Sequence, residues 1–471
     1  MQAKVFFGSE VYETNEYIQR KSPYSSKVVS QAPLCNVNDA LKALKIAKKA
    51  TKDAKNSTLA MRCNWILDVA KKLKEEKEDI AKTITDEVGK PITFARVEVE
   101  RCIETLTLSA ETMRTMHGET INTDAMNSGR KTLAYFERVP VGVVVAITPF
   151  NFPLNLVAHK LAPALVAGNT VVLKPTPEAP LTAYKFAKLF IESEYAIKDA
   201  LSVVYGDAEV GATLVSSDIP RVISFTGSGP VGNIITKTAG IKKVSLELGG
   251  NAATFVDSSA DLDLAAQKCS LGAFINSGQV CISLQRIYVH ESIYDTFAQK
   301  MAQESKKLVV GSPYEDTTFM GPLIDDEAVQ RAKRWIQSAI DEGAKALLTP
   351  KSEGKIFYPC VMADVRDDMA IVCEEVFAPI VSLVKVKDFD EAATKMNNSP
   401  YGLQFSVFTN DLALTKKAIN ELDAGGIVIN DMPTLRFDIQ PYGGVKLSGV
   451  GREGPRFAIE EMTEIKSVVI A

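Results

Sequence analysis

The feature that most constrains the fold of this chain is an alternation of short apolar runs and helical segments that starts near residue 140. Segments with helical periodicity separate five such runs: Val141–Ile147, Thr170–Leu173, Leu201–Tyr205, Val222–Phe225 and Val244–Leu246. Buried strands joined by helical crossovers form parallel sheets, so this pattern predicts an α/β fold with a doubly wound sheet. Ligands of such sheets bind at the carboxyl ends of the strands, which is where functional residues are expected.

The rest of the chain must form at least one further unit, because 471 residues exceed what one ordinary core accommodates. Residues 259–425 continue the α/β pattern less regularly and predict a second domain. Nearer the N-terminus, apolar residues at helical spacing predict one long helix over 57–88, capped by Ser57, and a second helix over about 92–116. Lys131–Arg138 and Ile465–Ile470 have the pattern of strands with exposed edges that a partner would cover.

Charge and cysteine content argue against several classes of protein. The chain has 54 Lys and Arg against 58 Asp and Glu, a net charge of −4, and no basic stripe, so nucleic acid is not expected as a partner. Neither a signal-peptide pattern nor an apolar run of membrane-spanning length is found, so no membrane contact is expected. The seven cysteines and three histidines are scattered, which predicts a reduced cytoplasmic protein without a metal site.

Four short segments contain residue types suited to covalent catalysis and dinucleotide binding. Cys281 ends a small glycine-containing turn, where a thiolate is accessible and backbone amides can lower its pKa. Glu247 lies beside a glycine pair at the end of the fifth run, and the Asn151 amide, within Pro149–Pro153, can stabilise an oxyanion. Phe225–Gly232 contains Gly-x-Gly-x-x-Gly before a helix, a turn that suits a pyrophosphate. Taken singly, each segment also has an ordinary structural explanation, such as a buried cysteine or a turn-forming asparagine.

Together these segments resemble the aldehyde dehydrogenase superfamily, and the resemblance covers nearly the whole chain. The motifs that carry it occur in the order of the family: Thr148–Pro153, Lys174–Pro175, Phe225–Ser228, Leu246–Gly250, Gly278–Cys281, Glu374–Pro379 and Tyr442–Gly449. The resemblance implies a homodimer or homotetramer. It also implies two doubly wound α/β domains and a small β arm: residues 1–120 and 139–247 for the cofactor, residues 248–435 for catalysis, and residues 121–138 with 436–471 for the oligomerisation arm and the C-terminal segment.

The resemblance assigns a role in oxidation to each of three residues. Cys281 attacks the aldehyde carbon, and the Asn151 amide and the Cys281 backbone N–H stabilise the oxyanion. Hydride transfer to a nicotinamide then leaves a thioester on Cys281, which water activated by Glu247 hydrolyses to the carboxylic acid.

The family also implies a set of cofactor-binding residues. Lys174 is expected to bind the adenosine ribose, Ser228 the pyrophosphate and Glu375 the nicotinamide ribose, with Phe377 packing near the nicotinamide. The same resemblance adds residues at the strand ends and the glycine turn: Ile147, Thr148, Pro149, Phe150, Gly227, Gly232 and Leu248. Many NAD-preferring relatives have a Glu three residues after the ribose-binding Lys, where this chain has Pro177. The cofactor is therefore expected to be NAD(P), with NADP or dual use favoured.

Glu247 also admits a competing interpretation. It lies about 20 residues beyond Gly227, the spacing at which an acidic residue of a conventional dinucleotide fold binds the adenosine ribose. However, that fingerprint belongs to the first strand of its unit, and here it follows the fourth. We therefore assign Glu247 to water activation and the ribose to Lys174.

Within the superfamily, the chain looks most like the lactaldehyde dehydrogenase branch. The likeness is carried by Val99–Arg101, Pro153–Lys160 and Asn430–Asp431, and by Arg436 before Pro441–Tyr442. Arg101, His159 and Arg436 are expected to line the substrate mouth and to favour small polar or anionic aldehydes. Structural ion pairs would explain the same residues.

Several alternatives stay open at this point. Succinate semialdehyde and glyceraldehyde 3-phosphate are possible substrates, although Val280 stands where some phosphate-binding relatives have an Arg. A CoA-acylating dehydrogenase, a cysteine hydrolase using Cys281 with His159, and a catalytically silent binding protein are less favoured, because Cys281, Glu247 and Asn151 are all present.

Overall fold

A computed structural model describes residues 1–14 and 16–471. In chain order its strands are β1 (Val5–Phe7), β2 (Glu10–Tyr12), β3 (Tyr17–Lys21), β4 (Val28–Pro33), β5 (Glu119–Asn122), β6 (Leu133–Pro140), β7 (Val143–Ile147), β8 (Thr170–Lys174), β9 (Leu201–Val203), β10 (Val222–Thr226), β11 (Lys243–Glu247), β12 (Ala252–Val256), β13 (Leu284–His290), β14 (Lys345–Ala346), β15 (Ser352–Glu353), β16 (Ile356–Phe357), β17 (Cys360–Ala363), β18 (Ile380–Val386), β19 (Tyr401–Gly402), β20 (Gln404–Phe408), β21 (Gly426–Ile429), β22 (Val445–Lys446), β23 (Gly449–Val450) and β24 (Thr463–Ile470).

The α-helices are α1 (Val37–Asn56), α2 (Leu59–Glu75), α3 (Lys77–Val88), α4 (Ile92–Thr115), α5 (Asn155–Val166), α6 (Pro180–Ile191), α7 (Ala208–Ser216), α8 (Gly229–Ala239), α9 (Leu262–Phe274), α10 (Tyr294–Lys306), α11 (Asp326–Asp341), α12 (Ala370–Cys373), α13 (Phe389–Asn397), α14 (Leu412–Glu421) and α15 (Pro455–Glu461). Among the residues that the structure describes, no helix has the length and apolar character needed to cross a lipid bilayer.

The five apolar runs that predicted a parallel sheet correspond to β7 through β11, which confirms the α/β fold. The order of this first sheet is β2-β1-β9-β8-β7-β10-β11-β23, and β9, β8, β7, β10 and β11 run parallel. In the register, Phe225 lies opposite Ile147 and Thr226 lies opposite Glu247. The carboxyl ends of β7, β10 and β11 therefore meet at one edge of the sheet.

A second sheet has the order β14-β17-β18-β13-β12-β20-β21 and is parallel except for β14. Only four residues separate it from Glu247 along the chain, because β12 starts at Ala252. Cys281 lies between α9 and β13, so it precedes its strand instead of following one. The expectation that functional residues follow strand ends is therefore wrong for Cys281, which is presented by the opposite edge of the second sheet. The division into domains expected above stays a prediction.

The single long helix predicted over 57–88 is two helices. Helix α2 ends at Glu75, and Glu76, with φ −95° and ψ 11°, redirects the chain into α3. The N-cap is Thr58 instead of Ser57, since the Thr58 hydroxyl accepts the N–H of Met61 at 3.2 Å. The helix expected over about 92–116 is confirmed as α4. Periodicity could not reveal the break, because both helices bury an apolar face against the same core.

The two strands expected to be exposed edges pair with each other. In a small antiparallel sheet β6 lies between β24 and β5, with Thr463 opposite Pro140 and Ile470 opposite Leu133. The expectation that β6 is an edge is therefore wrong, because the C-terminal strand of the same chain covers it. Among the described residues, no strand pairs with the other edge of β24.

The buried carboxylate of Glu98, on α4, holds the start of α5 in place. One of its oxygens accepts the backbone N–H groups of Leu154 and Asn155, at 2.9 and 3.1 Å, and the other accepts the ammonium of Lys90. Leu154 occupies the N-cap position of α5 and has no side-chain acceptor of its own. The Lys90 ammonium also lies 3.9 Å from the centre of the Phe152 ring. Glu98 thus fixes the segment that follows β7.

We expect Glu98→Ala to lower the free energy of unfolding by about 3–5 kcal/mol, because it leaves the Lys90 ammonium buried without its acceptor. The control Glu100→Ala, on the same helix, removes an exposed partner of Lys77 and should cost less than about 1 kcal/mol. Urea unfolding of both variants measures the difference. Equal losses would contradict this account of Glu98.

Candidate active site

A cavity of about 460 Å³ is lined by residues of both sheets. Cys281, Glu247 and Asn151 all line it, together with Glu375, Phe377 and Tyr442. Glu247 comes from the carboxyl edge of the first sheet and Cys281 from the loop before β13. The fold therefore brings together, in one cavity, three residues that lie far apart in the sequence.

A left-handed turn aims Cys281 at this cavity. The successive residues Asn276, Ser277 and Gly278 have φ values of 50°, 56° and 73°. A side chain at Gly278 would lie 2.2 Å from the carbonyl oxygen of Ala378, so the turn packs directly against the Glu374–Pro379 segment. The Ser277 hydroxyl donates to the Gly321 carbonyl at 2.8 Å, which holds the turn in place.

Burial dominates the electrostatics of the Cys281 thiol and raises its pKa to about 11, although a hydrogen bond with Tyr442 and the charge of Arg436 act in the opposite direction. The expectation that the turn lowers this pKa is therefore wrong for the free protein. The sulfur lies 3.1 Å from the Tyr442 hydroxyl. At neutral pH Cys281 is therefore a protonated thiol, which must lose its proton before it can act as a nucleophile.

The Asn151 side chain is held at both ends by backbone groups. Its Nδ2 donates to the carbonyl of Gln279 at 3.1 Å, and its Oδ1 accepts the N–H of Phe152 at 3.1 Å. Because an amide has two N–H groups, these bonds fix the direction of the second one. Gln279 is held in turn, since its Oε1 accepts the N–H of Ile324 at 2.9 Å. Asn151 thus carries a preorganised donor in the cavity next to the thiol.

Glu247 is a buried carboxylate, 3% exposed, whose two oxygens have no hydrogen-bond partner among the described residues. Burial raises its pKa well above the ordinary value, and the charge of Glu453 adds to this effect. Gly443 leaves room for it, because a side chain there would lie 2.7 Å from Oε1 of Glu247. A carboxyl group of this kind can accept a proton from a ligand.

Two arginines and a histidine meet around Asp438. Arg101 donates two hydrogen bonds to the Asp438 carboxylate, at 2.9 and 2.7 Å, and His159 Nε2 lies 3.0 Å from the same group. Arg436 lies 3.2 Å from both His159 and Glu453, and its buried Nε has no hydrogen-bond partner in the described part of the chain, although the Asp438 carboxylate lies 3.7 Å away. Arg101 and Arg436 line the cavity, whereas His159 is buried behind them and contacts the site through its partners.

The buried charges behind the cavity stabilise one another. Burial opposes the ionisation of Glu453, but Lys160, His159 and Arg436 outweigh it and lower the pKa of Glu453 to about 2. His159 and Arg101 likewise hold the pKa of Asp438 well below its ordinary value, against the effect of burial. Burial and the charge of Arg436 lower the pKa of His159, although the carboxylates of Asp438 and Glu453 act in the opposite direction.

The residues expected to bind a dinucleotide fall into two groups. Pro149, Phe150, Gly227, Ser228, Leu248, Glu375 and Phe377 line the cavity. Ile147, Thr148, Lys174 and Gly232 lie outside its lining. Lys174 ends β8, where burial lowers the pKa of its ammonium. Gly232 packs under Leu248, since a side chain there would lie 2.5 Å from that leucine.

The residues present fit a nicotinamide dinucleotide. Helix α8 begins at Gly229, where an added side chain would meet no atom within 4 Å, so its N-terminus is open to an anion. Beside it, Glu375 accepts the N–H of Gly250 at 3.0 Å, and burial raises the pKa of its carboxyl to about 7. The rings of Phe150 and Phe377 pack edge to face at 6.0 Å and form an apolar wall.

Sequence reasoning missed four polar residues that complete this site. Tyr442, whose motif was recognised without a role, contacts the thiol, and Lys160 binds Glu453 at 3.2 Å. Asp438 and Glu453 gave no signal, because they lie in a long irregular segment where no periodicity separates buried from exposed positions.

Comparisons with known proteins agree with one another. A model of the Aldehyde dehydrogenase family matches residues 11–468. The chain is 42% identical over 467 residues to the 3-sulfolactaldehyde dehydrogenase of Priestia aryabhattai, covering 99% of this chain and 97% of that one. It is 41% identical over 458 residues to the lactaldehyde dehydrogenase of Methanocaldococcus jannaschii, covering 96% of each.

A solved structure extends the similarity to the whole fold. The NADP-dependent glyceraldehyde-3-phosphate dehydrogenase of Bacillus halodurans C-125, crystallised in complex with NADP, matches with a TM-score of 0.98 at 34% identity. The match covers 100% of this chain and 99% of that one.

Proposed function

Since this chain belongs to the aldehyde dehydrogenase family, we propose that it oxidises a small hydroxyaldehyde to the carboxylic acid through a covalent intermediate on Cys281. The observation that carries the mechanism is the presence of a thiol and an unpartnered buried carboxylate, Glu247, in one cavity. The relatives named lactaldehyde and 3-sulfolactaldehyde dehydrogenase support the hydroxyaldehyde class.

The Cys281 sulfur, as thiolate, forms a bond to the aldehyde carbon while the carbonyl electron pair moves to oxygen. The free N–H of Asn151 and the backbone N–H of Cys281 stabilise this oxyanion. A nicotinamide dinucleotide, when bound along Ser228, Glu375 and Phe377, supplies the acceptor for the hydride that leaves the same carbon. The oxyanion returns its electrons to carbon, and a thioester on Cys281 results.

Glu247 then acts as the general base. It takes a proton from a water molecule whose oxygen attacks the thioester carbon, and the carbon–sulfur bond breaks with its electron pair remaining on Cys281. The raised pKa of Glu247 means that its ionised, basic form is populated only at a higher pH than that of an ordinary carboxyl group. The hydrolysis step should therefore accelerate with pH through an ionisation above the ordinary carboxyl range.

We expect Glu247→Gln to lower kcat by roughly 10²–10⁴-fold and to remove this pH dependence, because the amide keeps the shape but not the base. Rapid mixing should show a burst of one NAD(P)H per site and then a stalled acyl-enzyme. Cys281→Ser, the matched control, should fold normally and show neither burst nor turnover. A Glu247→Gln variant with normal kcat and only weakened cofactor binding would favour a ribose contact instead.

The charged groups behind the cavity leave a small excess of positive charge. Arg101 is paired with Asp438, but Lys160 and Arg436 share Glu453, so three cations face two carboxylates. Arg436 lines the cavity, and we infer that its guanidinium donates to the hydroxyl of a lactaldehyde-like substrate.

A second candidate is a hydroxyaldehyde with a terminal sulfonate, favoured by the two arginines in the lining and by the relative of Priestia aryabhattai. In that case the sulfonate would replace Asp438 as the partner of Arg101. Succinate semialdehyde and glyceraldehyde 3-phosphate are two further candidate substrates, and the activity measurements below include both.

A panel of lactaldehyde, 3-sulfolactaldehyde, succinate semialdehyde, glyceraldehyde 3-phosphate and propanal tests the substrate. We expect Arg436→Gln to lower kcat/KM for lactaldehyde by about 10–100-fold, as for loss of a charged hydrogen bond, and to affect propanal much less. Arg101→Met is the control and should spare lactaldehyde. Selective loss of 3-sulfolactaldehyde oxidation in Arg101→Met, together with a preference of the unmodified protein for that substrate, would establish the second candidate.

For the cofactor we propose that both NAD and NADP are used. Pro177 provides no carboxylate where many NAD-preferring relatives have one, and the neighbouring Glu178 is hydrogen-bonded by the Thr176 hydroxyl. The similar structure from Bacillus halodurans binds NADP, which supports this proposal.

Pro177→Glu should shift the ratio of kcat/KM for NADP to that for NAD about tenfold or more toward NAD, because it adds charge that repels a 2′-phosphate. Glu178→Gln tests the neighbouring carboxylate. If Glu178 faces the ribose, loss of its charge should shift the ratio toward NADP. Steady-state kinetics with both cofactors at saturating aldehyde provides the measurement. No detectable rate of the unmodified protein with NADP would rule the proposal out.

We propose further that the protein is a homodimer or homotetramer. Four apolar side chains of the small sheet are 55–64% exposed, Ile465 and Val469 on one face and Ile470 with Leu133 on the other, and a second copy that pairs with the edge of β24 can cover them. Sedimentation equilibrium at micromolar concentration distinguishes these states from a monomer.

We also propose a cytoplasmic location and retain the division into a cofactor domain, a catalytic domain and an arm. All seven cysteines are free, which suits a reducing compartment. The two separate parallel sheets and the small three-stranded sheet support the division.

A further inference from the structure

The phenol of Tyr442 lies against the sulfur of Cys281. The two atoms are 3.1 Å apart, and Tyr442 is 5% exposed. Its ring packs in a small apolar cluster with Val280, Ile282 and Leu403. A buried hydroxyl requires a hydrogen-bond partner, and in this surrounding the sulfur provides it.

The hydroxyl is the donor of this pair once the sulfur is charged. Burial raises the pKa of Tyr442 well above 10, and the neighbouring Cys281 raises it further. The same hydrogen bond acts on Cys281 in the opposite direction and lowers the pKa of the thiol. An ionised sulfur can only accept a hydrogen bond, so the phenol is the donor once Cys281 has lost its proton to solvent.

Two contacts hold the phenol in place. The guanidinium of Arg436 stacks on its ring, 3.7 Å from the ring centre, where a cation is attracted by the π electrons. The backbone of Tyr442 pairs with Glu453 in both directions, at 3.0 and 2.6 Å. The next residue, Gly443, lies beside Glu247, since a side chain there would come within 2.7 Å of its Oε1. The ring is thus anchored between the two groups assigned to catalysis.

We propose that the Tyr442 hydroxyl is a hydrogen-bond donor that stabilises the thiolate of Cys281 and orients it for attack. This proposal rests on the role of Cys281 given above. A packing role would require only the aromatic ring of Tyr442, whereas this role requires its hydroxyl. A donor held by neighbouring groups need not reorganise when the charge forms, so it stabilises the anion more than water does in a buried site.

The test follows alkylation of Cys281 by iodoacetamide as a function of pH, with mass spectrometry of the peptide that contains Cys281. Tyr442→Phe keeps the ring and the contact with Arg436 but removes the hydroxyl. We expect the pKa of Cys281 to rise by about one unit and the alkylation rate near pH 8 to fall about tenfold. Tyr184→Phe removes a phenol from α6, outside the cavity lining, and should leave both values unchanged.

The pH profile of alkylation, and not the melting temperature, separates a positioning role from a packing role. If Tyr442→Phe changes the melting temperature but leaves the pH profile of alkylation as in the unmodified protein, the hydroxyl does not act on the thiol and the proposal is overturned. An unchanged profile with an unchanged melting temperature overturns it as well.

A further control distinguishes this failure from failure of the proposed function. Cys281→Ser should abolish aldehyde oxidation. If Cys281→Ser retains activity, the assigned nucleophile is wrong, whatever Tyr442 does. If Cys281→Ser is inactive and Tyr442→Phe titrates normally, only the role of Tyr442 is refuted.

Discussion

The chain crosses from the first sheet to the second through Gly249 and Gly250, and the site depends on how closely other groups approach this crossing. A side chain at Gly249 would lie 2.4 Å from Oε2 of Glu375, and one at Gly250 would lie 2.3 Å from the carbonyl oxygen of Cys281. The crossing therefore places a cofactor-side carboxylate and the nucleophile within van der Waals distance of one strand connection. Any larger residue here would push apart the two sheet edges that form the cavity.

The cavity also depends on separating two buried carboxyl groups. Glu247 and Glu453 interact, but Glu453 has Lys160 and Arg436 as direct partners, whereas Glu247 has none among the described residues. Burial accordingly raises the pKa of Glu247, while cations lower that of Glu453 to about 2. One carboxylate thus balances charge and the other is left to exchange a proton, a division that acid–base catalysis requires.

Compensation of charge likewise shapes the substrate end of the cavity. Arginines in an active site suggest an anionic substrate, yet Asp438 holds Arg101 with two hydrogen bonds and contacts His159 as well. Lys160 and Arg436 share Glu453, so the cluster keeps an excess cation, and the cavity adds two directional donors, the guanidinium of Arg436 and the fixed N–H of Asn151. Hydrogen-bond donors with fixed directions select the geometry of a small polar substrate more than its charge.

The sequence by itself determined the parallel sheet, because alternating apolar runs and helical periodicity are local properties, and its motifs pointed to Cys281, Glu247 and Asn151. It did not determine the break at Glu76, since one apolar periodicity runs through both helices. Nor did it reveal that β24 covers β6, because strand pairing joins residues more than 300 positions apart. The raised pKa of Cys281, the partners of Arg101 and the contact of Tyr442 with the sulfur were decided by tertiary structure alone. Burial and distance set these properties, and both arise only when the edges of two sheets meet.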